Sequence, residues 1–570
     1  MRIPGSYLLM RVFISGFLLL LLISGCTVKT ARRTGLITPD AMVVSAHPLA
    51  SEVGVNIMKN GGNAIDAAIA VQFALAVVYP AAGNIGGGGF MVIREQNGDL
   101  SSLDYREKAP LNAGREMYQD ENGEVIDEMS TRGHLAAGVP GTVAGMVLAF
   151  DRFGSLPWEE LLQPAVDLAE NGFILTEREA SRLNDYREDF IEANTVIPDF
   201  LIKEHWDPGD TVIMKDLAET LKRISDRKRS GFYSGETADL LVSEMNRGKG
   251  IITQEDLDQY EAIWRNPVIA DYKSYQIISI GPPSSGGIDL IQLLKLIDPY
   301  QVDTMNWDSA DYLHLLIEAE KRVYADRAAY LGDADFFPVP VEPLIDGEYL
   351  KQRMKDFSFT RAIPSDSIFA GNINLMESEE TTHFSVVDPQ GNAVAVTTTL
   401  NGNYGCKVVV AGAGFFLNNE MDDFSVKPGF PNMFGLVGGD ANAIEPGKRM
   451  LSSMTPTIVE KEGSLFMVLG SPGGARIITS VFQCLLNVTE FNMTMQESVT
   501  AGRFHHQWKP DRVYYESERI PENILEILKE KGHTFEVSES IGSVNAILVI
   551  PGKGLEGGAD PRGDNTAAGF

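Results

Sequence analysis

The chain has 570 residues, 44% of them hydrophobic and 22% charged, and a formal net charge of −30. Such values describe a globular protein long enough to bury a large core, in one big domain or several. The acidic balance excludes a nucleic-acid partner, whose phosphates call for a Lys/Arg-rich face, and names no other partner.

In chain order, Arg2 and Arg11 precede an apolar run from Val12 to Ile23. The run is too short and too early for a comfortable membrane span, and it reads as a secretory signal peptide. It closes on Leu22-Ile23-Ser24-Gly25-Cys26, which resembles a bacterial lipoprotein box. Residues 1–25 would then be removed and the Cys26 sulfur would carry a diacylglycerol. That places the protein in a bacterial cell envelope, periplasm-facing or on the outer membrane. An ordinary signal peptide with an incidental cysteine is the alternative. Residues 26–40 are polar and read as a tether, with folded sequence expected from about residue 41. Cys406 and Cys484 could pair in an exported protein, but both sit in apolar surroundings and read as buried free thiols.

A helix is predicted from Ile65 to Tyr79, with Asn63 as its cap and Pro80 as its stop. The run Gly86 to Gly89 lacks the Lys-Ser/Thr of a phosphate loop, so it reads as close backbone packing beside a site. From Val147 to Gln352 the pattern is mostly helical, clearest at Trp158–Leu162 and Tyr312–Tyr330, with a strand at Tyr275–Ile280. Residues 355–380 are polar and irregular, as an exposed processing loop should be. Strands are then expected at 381–388, 393–400, 407–410, 457–460, 465–469 and 543–549, with helices at 475–487 and 495–502. Strands in both halves flanked by helices favour an α/β sandwich over a purely parallel sheet.

The most informative stretch is Glu380-Thr381-Thr382-His383-Phe384-Ser385-Val386-Val387-Asp388. It returns through Pro389-Gln390-Gly391 into Ala393 to Thr399 and reads as a β-hairpin. With a three-residue loop and Gly391 in its left-handed position, Asp388 faces Asn392 and Thr381 faces Thr399, within side-chain reach. A four-residue loop would put Thr382 there instead.

This segment resembles the point at which γ-glutamyltransferases (γ-glutamyltranspeptidases) cut themselves into two subunits. The resemblance runs from about Ala41 to Phe570. It includes Gly83-Asn84-Ile85-Gly86-Gly87-Gly88-Gly89-Phe90, Asp104-Tyr105-Arg106-Glu107, Pro282-Pro283-Ser284-Ser285-Gly286-Gly287, Asn418-Asn419-Glu420-Met421-Asp422-Asp423-Phe424, Leu451-Ser452-Ser453-Met454 and Gly470-Ser471-Pro472-Gly473-Gly474. It implies the N-terminal-nucleophile hydrolase fold, an αββα sandwich of two stacked antiparallel sheets between helical layers. It also implies a cut between Glu380 and Thr381, giving a large subunit of residues 41–380 and a small catalytic subunit of residues 381–570.

The chemistry fits that cut. A threonine hydroxyl is a poor nucleophile until a base takes its proton. Cleavage before Thr381 gives that residue a free α-amine, whose reference pKa of roughly 7.7–8 suits a base near neutral pH. The resemblance makes Thr381 the nucleophile, Thr399 the partner of its hydroxyl, and Gly473 and Gly474 the backbone donors for the oxyanion. A γ-glutamyl group carries an α-carboxylate, which suits a guanidinium fork, and an α-ammonium, which suits acidic and carbonyl acceptors. The resemblance assigns the carboxylate to Arg106, Ser452 and Ser453, and the ammonium to Asn401, Glu420 and Asp423. Taken alone, Arg106 reads as a surface ion pair and Asp422-Asp423 as a solvated turn.

Two positions depart from the family pattern. Phe434 stands in the lid loop where a tyrosine is usual, which removes a hydroxyl. Met450 stands before the serine pair where proline is often seen. His505-His506 resembles a metal pair without a third ligand, and His383 reads as packing beside the site. Arg562-Gly563-Asp564 and the sequons at Asn487 and Asn492 read as incidental.

The implied function is a self-processing enzyme that moves the γ-glutamyl group of glutathione or a related compound to water, amino acids or peptides. No cofactor and no metal are implied, and the membrane contact is a lipid anchor. The rivals are a cephalosporin/glutaryl acylase or poly-γ-glutamate enzyme on the same fold, and an inactive γ-glutamyl-peptide-binding lipoprotein.

Overall fold

The computed structural model describes residues 32–201, 203–371, 382–427, 430–433, 435 and 440–570. Two seven-stranded sheets form its centre. The first runs Ile37–Thr38, Gly554–Ala559, Asn545–Ile550, Ser464–Gly470, Thr457–Lys461, Tyr275–Ser279 and Val268–Tyr272. The second runs Thr566–Gly569, Met42–Ser45, Thr382–Val387, Ala393–Thr399, Gly88–Arg94, Leu100–Asp104 and Ile263–Arg265. Every neighbouring pair in both sheets is antiparallel. Residues 37–40, expected in the tether, therefore lie within the fold: Ile37 pairs with Glu556 and Thr38 with Leu555.

Side chains alternate across the second sheet, as strand geometry requires. Val43, Met91, Ile93, Phe384, Val386, Val394 and Val396 face a core shared with helices Pro48–Lys59, Ala64–Val78, Thr142–Phe153 and Trp158–Asn171. Met42, Val44, Phe90, Val92, Val387 and Ala395 face the other way, into a core shared with the first sheet and helices Gly286–Ile297, Ala310–Tyr330 and Arg476–Thr489. Helices thus cover the outside of two stacked sheets, which is the expected αββα sandwich.

The helix Ala64–Val78 is buried at every residue and carries a capping box between Asn63 and Asp66. The Ala64 N–H also donates to Asp388 at 3.0 Å, so the helix start is tied to the hairpin turn. In that turn Gly391 has φ +88°, and Asp388 accepts from the Asn392 N–H at 2.9 Å. The ladder runs from Val387↔Ala393 to Thr382↔Thr398, which is the register of a three-residue loop.

Some local expectations fail. Lys407–Val410 is not a strand; it contributes a single bridge, Val409↔Phe416. The part of the expected processing loop that is described is anchored: the Trp508 indole donates to the carbonyls of Ser365 and Ile368 at 2.9 Å each. Cys406 and Cys484 are buried free thiols, as expected.

Candidate active site

The hairpin delivers Thr399 to the end of its strand, opposite Gly88. Glycine is required here by close approach. A β-carbon on Gly87 would collide with the Thr399 carbonyl, and one on Gly88 would press on Tyr105 and Glu107. Asn84, from the same glycine-rich segment, donates to the Thr399 carbonyl at 2.7 Å and accepts from the Gly87 N–H at 3.0 Å. The Thr399 hydroxyl accepts from the Asn401 N–H at 2.7 Å. Asn401 holds a left-handed backbone with φ +69°, and its side-chain amide donates to the Asn419 carbonyl at 3.1 Å.

Beyond Thr399 lies a buried charge cluster. Arg106 is 1% exposed. One of its terminal nitrogens lies 2.6 Å from Glu420 and 3.6 Å from Glu107, and the other pairs with Asp423. It also donates to the carbonyls of Met450 at 3.3 Å and Leu451 at 3.0 Å. The guanidinium thus lies against the backbone just before Ser452 and Ser453. Ser452 in turn accepts from the Met454 N–H at 3.1 Å and bridges to Ser284. Three carboxylates share one guanidinium. Burial drives Glu420 well above the usual carboxylate range, against the pull of Arg106 and the Thr399 hydroxyl. Burial likewise lifts Glu107 to about 8. Neither bland reading holds, because Arg106 is not on the surface and Asp423 is 0% exposed.

The turn between Ser464–Gly470 and Arg476–Thr489 carries Gly473 at φ +129° and Gly474 at φ +63°. Both glycines line a cavity of about 440 Å³, together with Asn401, Met433, Arg476 and Gln507. The predicted oxyanion turn and the predicted ammonium ligand Asn401 therefore line one cavity. Preorganised N–H groups on such a wall can stabilise a developing oxyanion.

Met433, from the segment expected to be the lid loop, lines the same cavity. The Met433 N–H donates to Asp422 at 3.2 Å, and the Met433 sulfur accepts from the Asn419 amide at 3.6 Å. Burial raises the Asp422 carboxyl to about 6.

Cys26, Glu380, Thr381 and Phe434 lie outside the described residues. The described ladder stops one pair short of 381 and 399. Three residues were given no role from the sequence: Asn84, Glu107 and Asn442. Asn442 donates to the Asp423 carbonyl at 2.6 Å and accepts from the Leu451 N–H at 3.0 Å, pinning both walls of the charge cluster. Asn84 lies in the Gly83–Phe90 motif and Glu107 in Asp104–Glu107, which is the signal that could have found them. Asn442 had none.

The histidines have separate partners. His505 contacts Thr479 at 2.9 Å and Gln507 at 3.1 Å, while His506 contacts Asp511 at 3.2 Å. His383 contacts Thr397 at 2.9 Å and Ser385 at 3.1 Å, and burial lowers its pKa to about 3. His314, Glu318 and His533 lie close enough for a metal set. However, His314 and His533 bond to each other at 2.6 Å, and Glu318 is held by Lys321 at 2.9 Å and Arg322 at 2.8 Å. Two fixed cations beside the carboxylate oppose a third.

The family model described as gamma-glutamyltranspeptidase matches residues 50–570. A glutathione hydrolase proenzyme of Pseudomonas aeruginosa is 48% identical over 521 residues, covering 90% of this chain and 91% of the relative. One of Escherichia coli (strain K12) is 45% identical over 535 residues, covering 93% and 92%. Among solved structures, a cephalosporin acylase from Bacillus halodurans superposes with a TM-score of 0.84 at 26% identity, covering 96% of this chain and 98% of the other.

Proposed function

The chain belongs to the gamma-glutamyltranspeptidase family, and from that premise we propose how its residues carry the reaction. The protein is a self-processing γ-glutamyltransferase and glutathione hydrolase. In the precursor, the Thr381 hydroxyl attacks the Glu380 carbonyl. The amide becomes an ester, and water opens it. Thr381 is then the first residue of a small subunit of residues 381–570, and its α-amine is free.

In turnover the Thr381 oxygen attacks the γ-carbonyl carbon of glutathione while its proton passes to the α-amine. Gly473 and Gly474 donate to the oxyanion. Collapse breaks the C–N bond, and the leaving cysteinylglycine takes the proton. Water or an acceptor amine then attacks the ester carbon and restores the threonine. Thr399, held by Asn401 and Asn84, keeps the nucleophile oriented.

The observation that carries the substrate reading is the Arg106 cluster. A γ-glutamyl α-carbon bears one anion and one cation. Entering together, they exchange with the Arg106–Asp423 pair, so no buried charge is stranded. A glutaryl compound brings the anion alone and leaves the displaced Asp423 carboxylate unpaired. This favours a glutamyl over a glutaryl head group and sets aside the acylase reading. Retention of Thr381, Thr399 and Gly473-Gly474 speaks against an inactive binding protein.

We also propose an address: a signal peptide of residues 1–25, a lipid on Cys26 and a short tether put the enzyme on a bacterial envelope membrane. Among the described residues no helix is long and apolar enough to cross a membrane. The testing experiment is a denaturing gel with N-terminal sequencing. Active protein should give two fragments in a length ratio of about two to one, the shorter starting at Thr381, and Thr381→Ala should give one. Active protein that stays a single chain would overturn the mechanism.

A further inference from the structure

The γ-glutamyl head accounts for one end of the substrate. The remainder must lie in the cavity beside Gly473 and Gly474. Among the described residues that line this cavity, Arg476 is the one charged side chain. Its Nη1 donates to the Ser538 hydroxyl and the Ser540 carbonyl, each at 3.1 Å. Its guanidinium lies over the Tyr514 ring, 5.4 Å from the centroid. No carboxylate among the described residues pairs with it. Two other arginines in this half of the chain are paired with carboxylates: Arg503 holds Asp560, and Arg562 holds Glu516 at 2.5 Å. Arg476 is thus oriented by neutral groups and an aromatic face, with donors left for something else.

We propose that Arg476 binds the terminal carboxylate of the leaving group, and of the incoming acceptor, and so selects substrates and acceptors that end in a free α-carboxylate. The inference rests on the γ-glutamyl reading of the site. Geometry supports it. Arg476 is two residues beyond Gly474, where the scissile carbonyl would sit. A dipeptide leaving group extends about 7 Å from that carbonyl, which a long side chain from the adjoining turn can meet. Charge supports it as well. In a chain with a net charge of −30, an anionic end is repelled unless a local cation offsets the field. A guanidinium fork matches a carboxylate better than any other side chain.

The test compares glutathione with its C-terminal glycinamide, which keeps the scissile bond and loses the terminal charge. Unaltered enzyme should show kcat/KM at least about tenfold higher for the acid, and Arg476→Gln should bring the ratio near one, chiefly through KM. Arg476→Lys should keep part of the preference. Had Arg476 merely tied down Ser538 and Ser540, both substrates would suffer alike and the ratio would stand. Should Arg476→Gln fail to process, which a single band on a gel reveals, product inhibition of the unaltered enzyme replaces it. Cysteinylglycine should then inhibit γ-glutamyl anilide turnover at least about tenfold more strongly than its amide. A ratio near one in unaltered enzyme, or one unmoved by Arg476→Gln, overturns the inference. Loss of γ-glutamyl anilide turnover in unaltered enzyme would instead overturn the glutamyl reading.

Discussion

Arg106 and Glu420 meet at 2.6 Å with side chains 1% and 0% exposed. Each of these groups is one that a γ-glutamyl zwitterion would need for itself. Asp423 completes the arrangement on the other terminal nitrogen of the same guanidinium. On the proposed reading, a ligand carrying both charges replaces the Arg106–Asp423 pair, whereas a ligand carrying one leaves a buried charge unpaired.

Asp423→Asn should therefore discriminate between head groups. A hydrogen bond to a charged group contributes roughly 1.5–3 kcal/mol, so kcat/KM for a γ-glutamyl anilide should fall at least about tenfold. Turnover of the matching glutaryl anilide, which has no ammonium, should fall far less. Equal losses on both compounds, or a preference of unaltered enzyme for glutaryl, would sink the assignment.

Glu107 gives a prediction about stability and pH. Burial raises its carboxyl to about 8, from an ordinary value of about 4.3. Between those two values the folded chain holds a proton that the unfolded chain has released. Its contribution to stability is complete below the lower value and is lost as pH rises toward the upper one. Glutamine stays neutral throughout. The Tm of Glu107→Gln minus that of unaltered protein should therefore rise from pH 5 to pH 8. A gap that stays constant or shrinks over that range would show that Glu107 does not hold its proton.

The glycine run predicts a steric effect. A β-carbon at Gly87 would meet the Thr399 carbonyl, whereas one at Gly114 meets nothing within 4 Å. Gly87→Ala should cost about 1–3 kcal/mol of stability and lower kcat by pushing Thr399 out of place. Gly114→Ala should leave both close to unaltered values. Urea melts and initial rates measure the two effects, and matching behaviour of the two variants would refute the close-approach argument.

Cys26→Ser should release the enzyme from membranes while leaving its turnover intact, since every described residue of the candidate site belongs to the unit Thr34–Phe570. Two or more acyl chains make anchoring durable. Cell fractionation decides this, and unaltered protein recovered wholly in the soluble fraction would rule out lipidation.

Features written in short-range chemistry were legible in the sequence. Pro389-Gln390-Gly391 announced the hairpin, and of its two open registers the structure takes the three-residue one, with Gly391 at φ +88°. Asn63 announced the helix that it caps. Features that depend on a distant partner were not legible. Gly554–Ala559 reads Gly-Leu-Glu-Gly-Gly-Ala, with little intrinsic strand preference, and becomes a strand because Asn545–Ile550 and Ile37–Thr38 flank it. Lys407–Val410 has the β-branched residues but only one bridging contact. The strands Met42–Ser45 and Gly88–Arg94 are buried on both faces, so they show no alternation to read. In the site, the six motif blocks supplied candidates one by one. That Arg106 would be held by Glu420 and Asp423 together could come only from folding two distant segments onto each other.

The strand order of the second sheet bears on how the two products of self-cleavage stay together. Met42–Ser45 lies between Thr382–Val387 and Thr566–Gly569, laddered to both. In the first sheet, Tyr275–Ser279 is laddered to Thr457–Lys461 in the same way. With the chain cut after Glu380, as proposed, each piece would be woven through the sheets of the other. Dissociation would demand the simultaneous unzipping of several buried ladders, which amounts to unfolding. The cut enzyme should therefore behave as a single particle of fixed one-to-one stoichiometry however far it is diluted, and mixing two differently labelled preparations should yield no hybrids.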